Sequence, residues 1–452
     1  MKIIENTYHL ISLGCAKNLV DSHAMRHLLA QNALDETRAA KSAKYLIVNT
    51  CGFIESARQE SLETLRNLAK KKKPGQFLIA AGCMSQRMQA KLLEEVEGID
   101  AMLGTRRWMD IHKVLSSLQA NGSLRPYLHF PTASSMGRDE GGAPAIAIQG
   151  KSSYLKIADG CNRPCAYCAI PLIKGSLVSR PVNSIIDEIL ILQDAGIREV
   201  NLIAQDITGY GQDLVFKDGL FNLLDKICTA APNIPWIRLL YTFPGFNVNE
   251  MIRVMKAHPQ VLHYIDIPLQ HADHTVLKAM KRPSQTEKVM ADLLTLRSNF
   301  PDLAARTTFI VGFPGETDRA FQTLVDFIEQ VRFNHLGAFT YSFEKGTSAE
   351  RLGDPIPMEV KEERLAYLME VQAKISSQIN HSFIGETLDV LIEGADPNSQ
   401  ILVGRTKRDA PEVDGLVIAQ GVGQVGEILQ VKIDNAGEHD LFGRVVNFKG
   451  DL

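Results

Sequence analysis

The first 120 residues alternate between short apolar runs and longer amphipathic segments. The short runs are rich in β-branched and aromatic residues and predict strands, whereas the segments between them repeat apolar positions at helical spacing. Strands separated by helices in this order are typical of a parallel sheet in an α/β domain, which we assign to residues 1–120. The predicted strands are Tyr8–Leu13, Tyr45–Asn49 and Phe77–Ala81, and the predicted helices are Leu19–Ala30, Glu55–Lys70 and Gln86–Glu95.

The pattern changes twice further along the chain. Residues 121–150 are rich in Gly and Pro and weakly apolar, which predicts a linker. Residues 151–378 hold six strand-then-helix units that indicate a parallel barrel, closed or partial. Residues 379–452 alternate short strands with frequent Gly and predict a small all-β barrel. The fold class is therefore α/β with a third, all-β domain. The six barrel strands are predicted at Tyr154–Ala158, Glu199–Ala204, Trp236–Tyr241, Tyr264–Ile267, Thr307–Val311 and Gly337–Tyr341.

A cysteine follows each predicted strand of the first domain. These residues are Cys15, Cys51 and Cys83. Because parallel strands end at one edge of a sheet, where such folds bind ligands, we expect the three side chains to converge. The alternative is three buried cysteines, a common state for that residue, but this does not explain their repeated position. A metal site is the favoured interpretation.

A second cysteine group, Cys161, Cys165 and Cys168, follows the first barrel strand in C-x3-C-x2-C spacing. Three thiolates so spaced suit a four-iron cluster and leave one iron without a protein ligand. A structural zinc ion normally needs a fourth ligand, and the next histidine downstream is His258. Buried thiols are the other alternative, but the neighbouring Gly and Pro residues indicate a polar loop. The iron–sulfur interpretation is favoured.

Composition narrows the class of protein. A chain of 452 residues predicts about three domains. The net charge of −3 gives no general affinity for nucleic acid or anionic membranes. Lys2, Glu5 and His9 interrupt the start of the chain where a signal peptide needs an apolar run, so we expect a cytoplasmic protein. Seven cysteines in such a chain favour metal binding or catalysis over disulfides.

The C-x3-C-x2-C triplet, with Tyr167 before its last cysteine, resembles the signature of the radical S-adenosylmethionine (SAM) enzymes. The resemblance implies that SAM binds the open iron and yields a 5′-deoxyadenosyl radical. It also implies SAM contacts at strand ends, although for each of these a turn chosen only for its geometry is the alternative. A cation near the cluster is predicted to tune its potential. The predicted cofactor-binding residues are Tyr167, Arg180, Gln205, Asp206, Pro268, Gln270 and Gly312.

Further motifs resemble the methylthiotransferases: SLGCAKNLVDS at 12–22, NTCGFIESA at 49–57 and AGCM at 81–84. In that family the three matching cysteines hold an auxiliary 4Fe–4S cluster, so the resemblance implies two such clusters. The last domain resembles the TRAM domain of the same family. DIPLQHA and RDAPEVDG at 408–415 resemble the branch that modifies an aspartate of ribosomal protein S12. There the auxiliary cluster carries the methylthio group, and the radical removes hydrogen from the aspartate β-carbon.

Two alternatives remain: methylthiolation of a tRNA adenosine, and a non-catalytic iron–sulfur carrier. The carrier would need no SAM pocket. Residues 381–452 contain six basic and twelve acidic residues, a net charge of −6. This charge favours a basic protein substrate over RNA, unless Arg405–Arg408 forms a local basic patch. The resemblance also implies an electron donor of the reduced flavodoxin or ferredoxin type.

Overall fold

The computed structural model describes residues 3–121, 126–133, 136–137, 142–214 and 219–446. Its amino-terminal domain is a six-stranded sheet in the order β2-β1-β3-β4-β5-β6, with every neighbouring pair parallel. The predicted α/β class is confirmed, and β2, β5 and β6 are strands that the sequence did not predict. The strands are β1 (Ile4–Ser12), β2 (Asp35–Glu36), β3 (Ala43–Thr50), β4 (Phe77–Gly82), β5 (Ala101–Gly104) and β6 (Tyr127–His129).

Helices cover both faces of this sheet, and β3 and β4 are therefore buried almost throughout. The single helix predicted at Gln86–Glu95 is two short helices. Gln89 separates them with a φ of 49°, a left-handed conformation that an α-helix does not accommodate. The helices are α1 (Ala16–Gln31), α2 (Glu55–Lys71), α3 (Cys83–Met88), α4 (Lys91–Glu95) and α5 (Ile111–Asn121).

The predicted linker contains more structure than its composition indicates. β6 lies inside it and extends the amino-terminal sheet. At its other end, β7 (Ile146–Gln149) pairs antiparallel with the first barrel strand. Pairing at a sheet edge satisfies the backbone of such short strands, a contribution that local composition does not reveal. Gly122 and Gly141, on which the prediction partly rested, lie outside the described residues.

The central domain is an open barrel of six parallel strands, β8, β11, β12, β13, β14 and β15, each followed by a helix or loop. Hydrogen bonding divides the barrel strands into two sheets, β12-β11-β8 and β13-β14-β15, and the antiparallel β7 extends the first sheet at β8. A parallel bridge between Ile237 and Val261 joins the two sheets. The strands are β8 (Ser152–Lys156), β9 (Ala158–Asp159), β10 (Val178–Ser179), β11 (Glu199–Ile203), β12 (Trp236–Leu239), β13 (Tyr264–Asp266), β14 (Ala304–Val311) and β15 (His335–Thr340).

The helices around the barrel enclose its largest apolar core, which contains Cys228 as ordinary packing. α12 is the clearest amphipathic case, with six buried residues and a Thr317 side chain that caps its first turn. The helices are α6 (Ile170–Lys174), α7 (Val182–Asp194), α8 (Gly219–Ala230), α9 (Val248–Ala257), α10 (His274–Ala279), α11 (Thr286–Asn299) and α12 (Asp318–Val331).

A 24-residue helix, α13 (Met358–His381), connects the open barrel to a closed five-stranded barrel in the order β16-β17-β18-β20-β19. The predicted all-β domain is confirmed. No helix in the described ranges is long and apolar enough to cross a membrane. The strands are β16 (Thr387–Asp396), β17 (Ile401–Thr406), β18 (Val417–Gln420), β19 (Ile428–Ala436) and β20 (Leu441–Val445).

The closed barrel docks against the amino ends of the open barrel's strands. Arg405 is 1% exposed there and binds Glu199, the first residue of β11, at 2.5 Å. Tyr264, the first residue of β13, donates a hydrogen bond to Asp414 at 2.7 Å. Lys407 is half exposed and pairs with Asp389. Two of the three basic side chains in the segment Arg405–Arg408, which was considered as a basic patch, are therefore engaged in internal ion pairs.

Candidate active site

The barrel triplet lies in the loop between β9 and α6, at the carboxyl end of the first barrel strand. Backbone amides aim at its sulfur atoms: the Arg163 amide lies 3.4 Å from the Cys161 sulfur, and the Ile170 amide lies 3.4 Å from that of Cys168. The Arg282 guanidinium lies 3.6 Å from the sulfur of Cys165. Donors directed at sulfur stabilise thiolates and tune iron–sulfur clusters, so this loop is suited to anionic sulfur.

Burial opposes that charge while no metal is present. It raises the pKa of the Cys168 thiol to about 12 and also raises the pKa of Cys161. A bound iron atom deprotonates a coordinating thiol outright. Assembly of a cluster on these residues therefore releases protons.

The cysteines of the first domain follow β1, β3 and β4, which are neighbours in the sheet. The Asn18 side chain ties their three loops together. It donates to the carbonyl oxygens of Leu13 at 2.9 Å and Thr50 at 3.1 Å, and its oxygen lies 3.7 Å from the Cys83 sulfur. The predicted convergence of Cys15, Cys51 and Cys83 is thus supported by contacts that span all three loops.

Two glycines allow these loops to approach. Gly14 has a φ of 88°, and a Cβ there would lie 2.7 Å from the Cβ of Cys51. A Cβ on Gly52 would lie 2.7 Å from the Cα of Met84, beside Cys83. Any larger residue would push the loops apart.

Burial also raises the pKa of the Cys83 thiol to about 12 and raises that of Cys51. Within the described ranges, no three His, Cys, Asp or Glu side chains are placed to share one metal ion. A four-iron cluster joins its cysteines through separate irons, so three cysteines can hold it without sharing one metal ion.

A buried ionic network joins the two cysteine groups. Lys174, on the helix after the barrel triplet, binds Asp21 of α1 at 2.8 Å and lies 3.5 Å from Asp159, which precedes the triplet loop. Lys156 also binds both carboxylates, with 2.7 Å to Asp159. Desolvation lowers the pKa of Lys174, but Asp159, Asp21 and Cys83 outweigh it, and the pKa is raised well above its usual value.

A second contact between the domains is centred on Glu344, which follows β15 and is 3% exposed. Its carboxylate accepts hydrogen bonds from Arg58 at 2.7 Å and from Arg87 at 2.5 Å. Arg58 belongs to α2 and Arg87 to α3, the helices that follow Cys51 and Cys83. One carboxylate of the barrel therefore holds two of the three cysteine segments of the first domain.

Three predicted cofactor residues lie close to the barrel triplet. Burial raises the pKa of Tyr167 well above its usual value, and the neighbouring Cys165 contributes to that rise. Gln205 donates to Asp159 at 2.9 Å, and its side-chain oxygen is buried without a partner. Asp206 binds Arg163 at 2.6 Å.

The other four predicted cofactor residues have structural roles that the sequence did not indicate. The Pro268 carbonyl accepts a hydrogen bond from Arg282. Gln270 has a φ of 77° and pairs through its backbone with β14. A Cβ on Gly312 would lie 2.3 Å from the side chain of Lys361, so packing against α13 already requires glycine there.

Arg180 was predicted as the cation near the cluster. The structure gives its guanidinium a buried carboxylate partner, Glu188, at 2.7 Å. The cation next to the triplet is Arg282 instead. Sequence reasoning missed Arg282 because it lies 117 positions from Cys165 and no local motif marks it. Lys17, Lys174 and Glu344 were missed because their partners lie far away in the chain, although Lys17 stands inside the SLGCAKNLVDS motif.

The residues present fit the groups that the motifs imply. Two sets of three free cysteines would each provide three ligands to a cluster and leave one iron open. The unpartnered oxygen of Gln205 is a buried acceptor at the barrel mouth, and a buried acceptor needs a donor such as an ammonium group. The methionine moiety of SAM carries such a group.

Comparison with known families covers all three domains. Residues 7–104 match the uncharacterized protein family UPF0004, residues 155–328 match the radical SAM superfamily, and residues 384–446 match the TRAM domain. Among solved structures, the radical SAM methyltransferase TsrM from Kitasatospora setae has a TM-score of 0.54 at 14% identity, covering 87% of this chain and 79% of that one. At this identity the likeness concerns the fold alone.

Whole-chain relatives are more similar. "Ribosomal protein uS12 methylthiotransferase RimO" of Roseiflexus sp. (strain RS-1) is 42% identical, with 98% of each chain covered. The proteins of the same name from Clostridioides difficile (strain 630) and Geobacter sulfurreducens are 41% and 38% identical, each covering 97% of this chain and 98% of the relative.

The fold, the cysteine triplet and the family matches together define a radical SAM enzyme, which uses SAM and a 4Fe–4S cluster. A non-catalytic carrier is therefore excluded. The chain belongs to the RimO family of ribosomal protein uS12 methylthiotransferases, because the similarity extends over nearly its whole length. It is a radical SAM methylthiotransferase with a carboxyl-terminal TRAM domain.

Proposed function

We propose that this enzyme replaces a hydrogen on the β-carbon of an aspartate in ribosomal protein S12 with a methylthio group, using SAM and two 4Fe–4S clusters. One observation carries the proposal: the two cysteine groups meet at one interface. The α3 helix, which begins at Cys83, packs against α6, which follows Cys168. A donor and a radical source held there reach one substrate carbon without diffusing apart.

In this proposal, Cys161, Cys165 and Cys168 hold the cluster that binds SAM, and Cys15, Cys51 and Cys83 hold the auxiliary cluster. When bound, these groups supply the radical that removes hydrogen and the methylthio group that replaces it. Gln205 accepts a hydrogen bond from the amino group of SAM. Arg282 stabilises thiolate charge at Cys165. Tyr167 packs beside the same loop and limits access of water.

Two observations favour S12 as the substrate over tRNA. The relatives with 38–42% identity carry the S12 name. The net charge of −6 over residues 381–452 repels a phosphate backbone and suits a basic ribosomal protein. Arg405 is buried in ion pairs with Glu199 and Glu393 and is not free to contact RNA. The electron is supplied by a reduced flavodoxin or ferredoxin-type protein.

The experiment compares two triple variants after anaerobic reconstitution. The wild-type protein is expected to hold about eight irons, and either set of three Cys→Ala substitutions should leave about four. Without Cys15, Cys51 and Cys83, the protein should still form 5′-deoxyadenosine but transfer no methylthio group to S12, as measured by mass spectrometry. The barrel variant should form no 5′-deoxyadenosine.

The single substitution Cys228→Ala is the control, because this residue is core packing and should leave the iron content unchanged. Methylthiolated S12 from the variant without the amino-terminal triad would contradict the proposed division. Wild-type enzyme that modifies tRNA and leaves S12 unmodified would contradict the substrate.

A further inference from the structure

Lys17 lies between the two cysteine groups. It comes two residues after Cys15, on the first turn of α1, and reaches across the domain interface. Its ammonium nitrogen is 3.3 Å from the centre of the Tyr241 ring. Tyr241 follows β12 at the barrel mouth, and two residues later the Phe243 ring stacks against Arg282, the cation beside the barrel triplet. Lys17 is thus placed where the two halves of the site meet.

The charge of Lys17 has no carboxylate in a salt bridge among the residues the structure describes. Asp266, at the end of the neighbouring strand β13, is bound to Arg306 at 3.0 Å. The Lys17 ammonium instead rests on an aromatic ring, a weaker partner than a carboxylate.

Most other cations around this interface have a carboxylate partner within hydrogen-bonding distance, so they cannot accept a new anion without losing that contact. Arg282 differs, because it binds the Pro268 carbonyl and faces the Cys165 sulfur, which places its charge at the barrel triplet. The carboxylate pairs are Arg163 with Asp206, Lys156 and Lys174 with Asp21 and Asp159, and Arg58 and Arg87 with Glu344.

We propose that Lys17 binds the carboxylate of the target aspartate and makes the enzyme specific for aspartate over its amide. The inference rests on the proposed function, since it needs an aspartate as substrate. The carboxylate oxygens of an aspartate are two bonds from its β-carbon. If the β-carbon lies between the two cysteine groups, the carboxylate therefore lies there too. Burying that charge without a cation is costly, whereas a charge-assisted hydrogen bond to Lys17 offsets the loss of water.

A neutral amide gains less from the same cation. The proposal therefore predicts a preference that can be measured as binding, without turnover. The probes are ribosomal protein S12 and an S12 variant in which the modified aspartate is replaced by asparagine. Both are titrated against the reconstituted full-length enzyme, and the ratio of the two dissociation constants is recorded.

The wild-type enzyme should bind the aspartate form about tenfold to a hundredfold more tightly than the asparagine form, the range of a charge-assisted hydrogen bond. Lys17→Met should bind both forms equally, and Lys17→Arg should keep most of the preference. Iron content and the thermal unfolding transition show that each variant is folded. Lys226→Met, which removes an exposed lysine from the outer helix α8, is the matched control and should keep the wild-type ratio.

An unchanged ratio in Lys17→Met would overturn the inference. The same holds if Lys17→Met weakens SAM binding while the ratio stays at its wild-type value, because the cation would then serve the carboxylate of SAM. If wild-type enzyme neither binds nor modifies S12, it is the proposed function that fails. The two failures are thus distinguishable.

Discussion

Both ends of the open barrel are covered by another domain, and both contacts use buried charge. At the amino ends of the strands, Glu199 is fully buried and bound by Arg238 and Arg405, at 2.9 and 2.5 Å. At the carboxyl ends, Lys156 and Lys174 share Asp21 and Asp159. The first contact holds the closed barrel, and the second holds the amino-terminal domain.

The two ends differ in the kind of groups that they bring together. At the amino ends, the two guanidinium groups lower the pKa of Glu199 to about 2 despite its desolvation, and the contact joins arginines to a carboxylate. At the carboxyl ends, the contact also brings in six cysteines, and among the described residues the Gln205 oxygen is buried there without a partner. Parallel barrels carry their chemistry at the carboxyl ends of strands and stability at the other end. The placement of the cysteines here follows that division.

The largest effect is expected from Arg405→Met at the amino ends. Glu199 keeps Arg238 but loses half of its compensating charge while still buried, which should lower the free energy of unfolding by about 3 kcal/mol. In a Trp108→Phe background, Trp236 is the remaining tryptophan and packs at this interface with Ala410. Its fluorescence in a urea titration therefore reports the local transition.

Lys407→Met is the control for that variant. Lys407 is half exposed beside Arg405 and pairs with Asp389, so its loss should cost less than about 1 kcal/mol. If the two variants shifted the urea midpoint equally, burial would not explain the difference expected between the Arg405 and Lys407 ion pairs. The Arg405→Met enzyme should retain its iron, since the contact lies away from the cysteines.

A smaller effect on stability, but a larger one on chemistry, is expected from Glu344→Gln at the carboxyl ends. The substitution removes the charge that holds Arg58 and Arg87, at a cost of about 1.5 kcal/mol. The amino-terminal domain should loosen against the barrel. Formation of 5′-deoxyadenosine should continue, while the yield of methylthiolated S12 per 5′-deoxyadenosine should fall, because the two sites no longer keep their separation.

The ratio of the two products, measured in one reaction, is the readout. Glu55→Gln is the matched control: Glu55 also binds Arg58 but lies exposed on the same helix and does not bridge the domains. It should leave the ratio unchanged. A Glu344→Gln enzyme with a wild-type ratio would show that this contact does not position the two sites.

The smallest effect is expected from Arg26→Gln, which breaks the partly exposed pair with Glu36 on the outer side of the first domain. Solvent screens such pairs, so the free energy of unfolding should change by about 0.5 kcal/mol or less. A midpoint shift as large as that of Arg405→Met would contradict the view that burial, and not the presence of an ion pair, sets these magnitudes.

Much of the fold was predictable because periodicity reports local burial. The strands of the open barrel lie within a few residues of the predicted positions. The errors have two sources. Gln89 takes a left-handed backbone conformation that interrupts a helix which the pattern predicts as continuous. β7 pairs with the edge that β8 offers, and that edge is not visible in a local window of sequence.

The site shows the same limit. Cys161, Cys165 and Cys168 are close in the chain, so their spacing alone indicates a cluster. Arg180 and Arg282 each stand directly before a proline, and nothing local says which has a carboxylate partner. The barrel brings Glu188 to one and Cys165 to the other. Electrostatic roles of this kind depend on distances that only the folded chain defines.

The sequence by itself predicted the order of the three domains and the two groups of cysteines, because each depends on local spacing or on the rule that parallel strands end together. Its motifs indicated the class of enzyme through their resemblance to known families. Tertiary structure decided which charges are paired. Arg405, first considered for RNA, is buried against Glu199, whereas Lys17, inside the SLGCAKNLVDS motif, has no carboxylate in a salt bridge among the described residues and lies between the two cysteine groups. The physical reason is that desolvation and Coulomb energies depend on which groups are neighbours in space, and packing of the three domains chooses those neighbours.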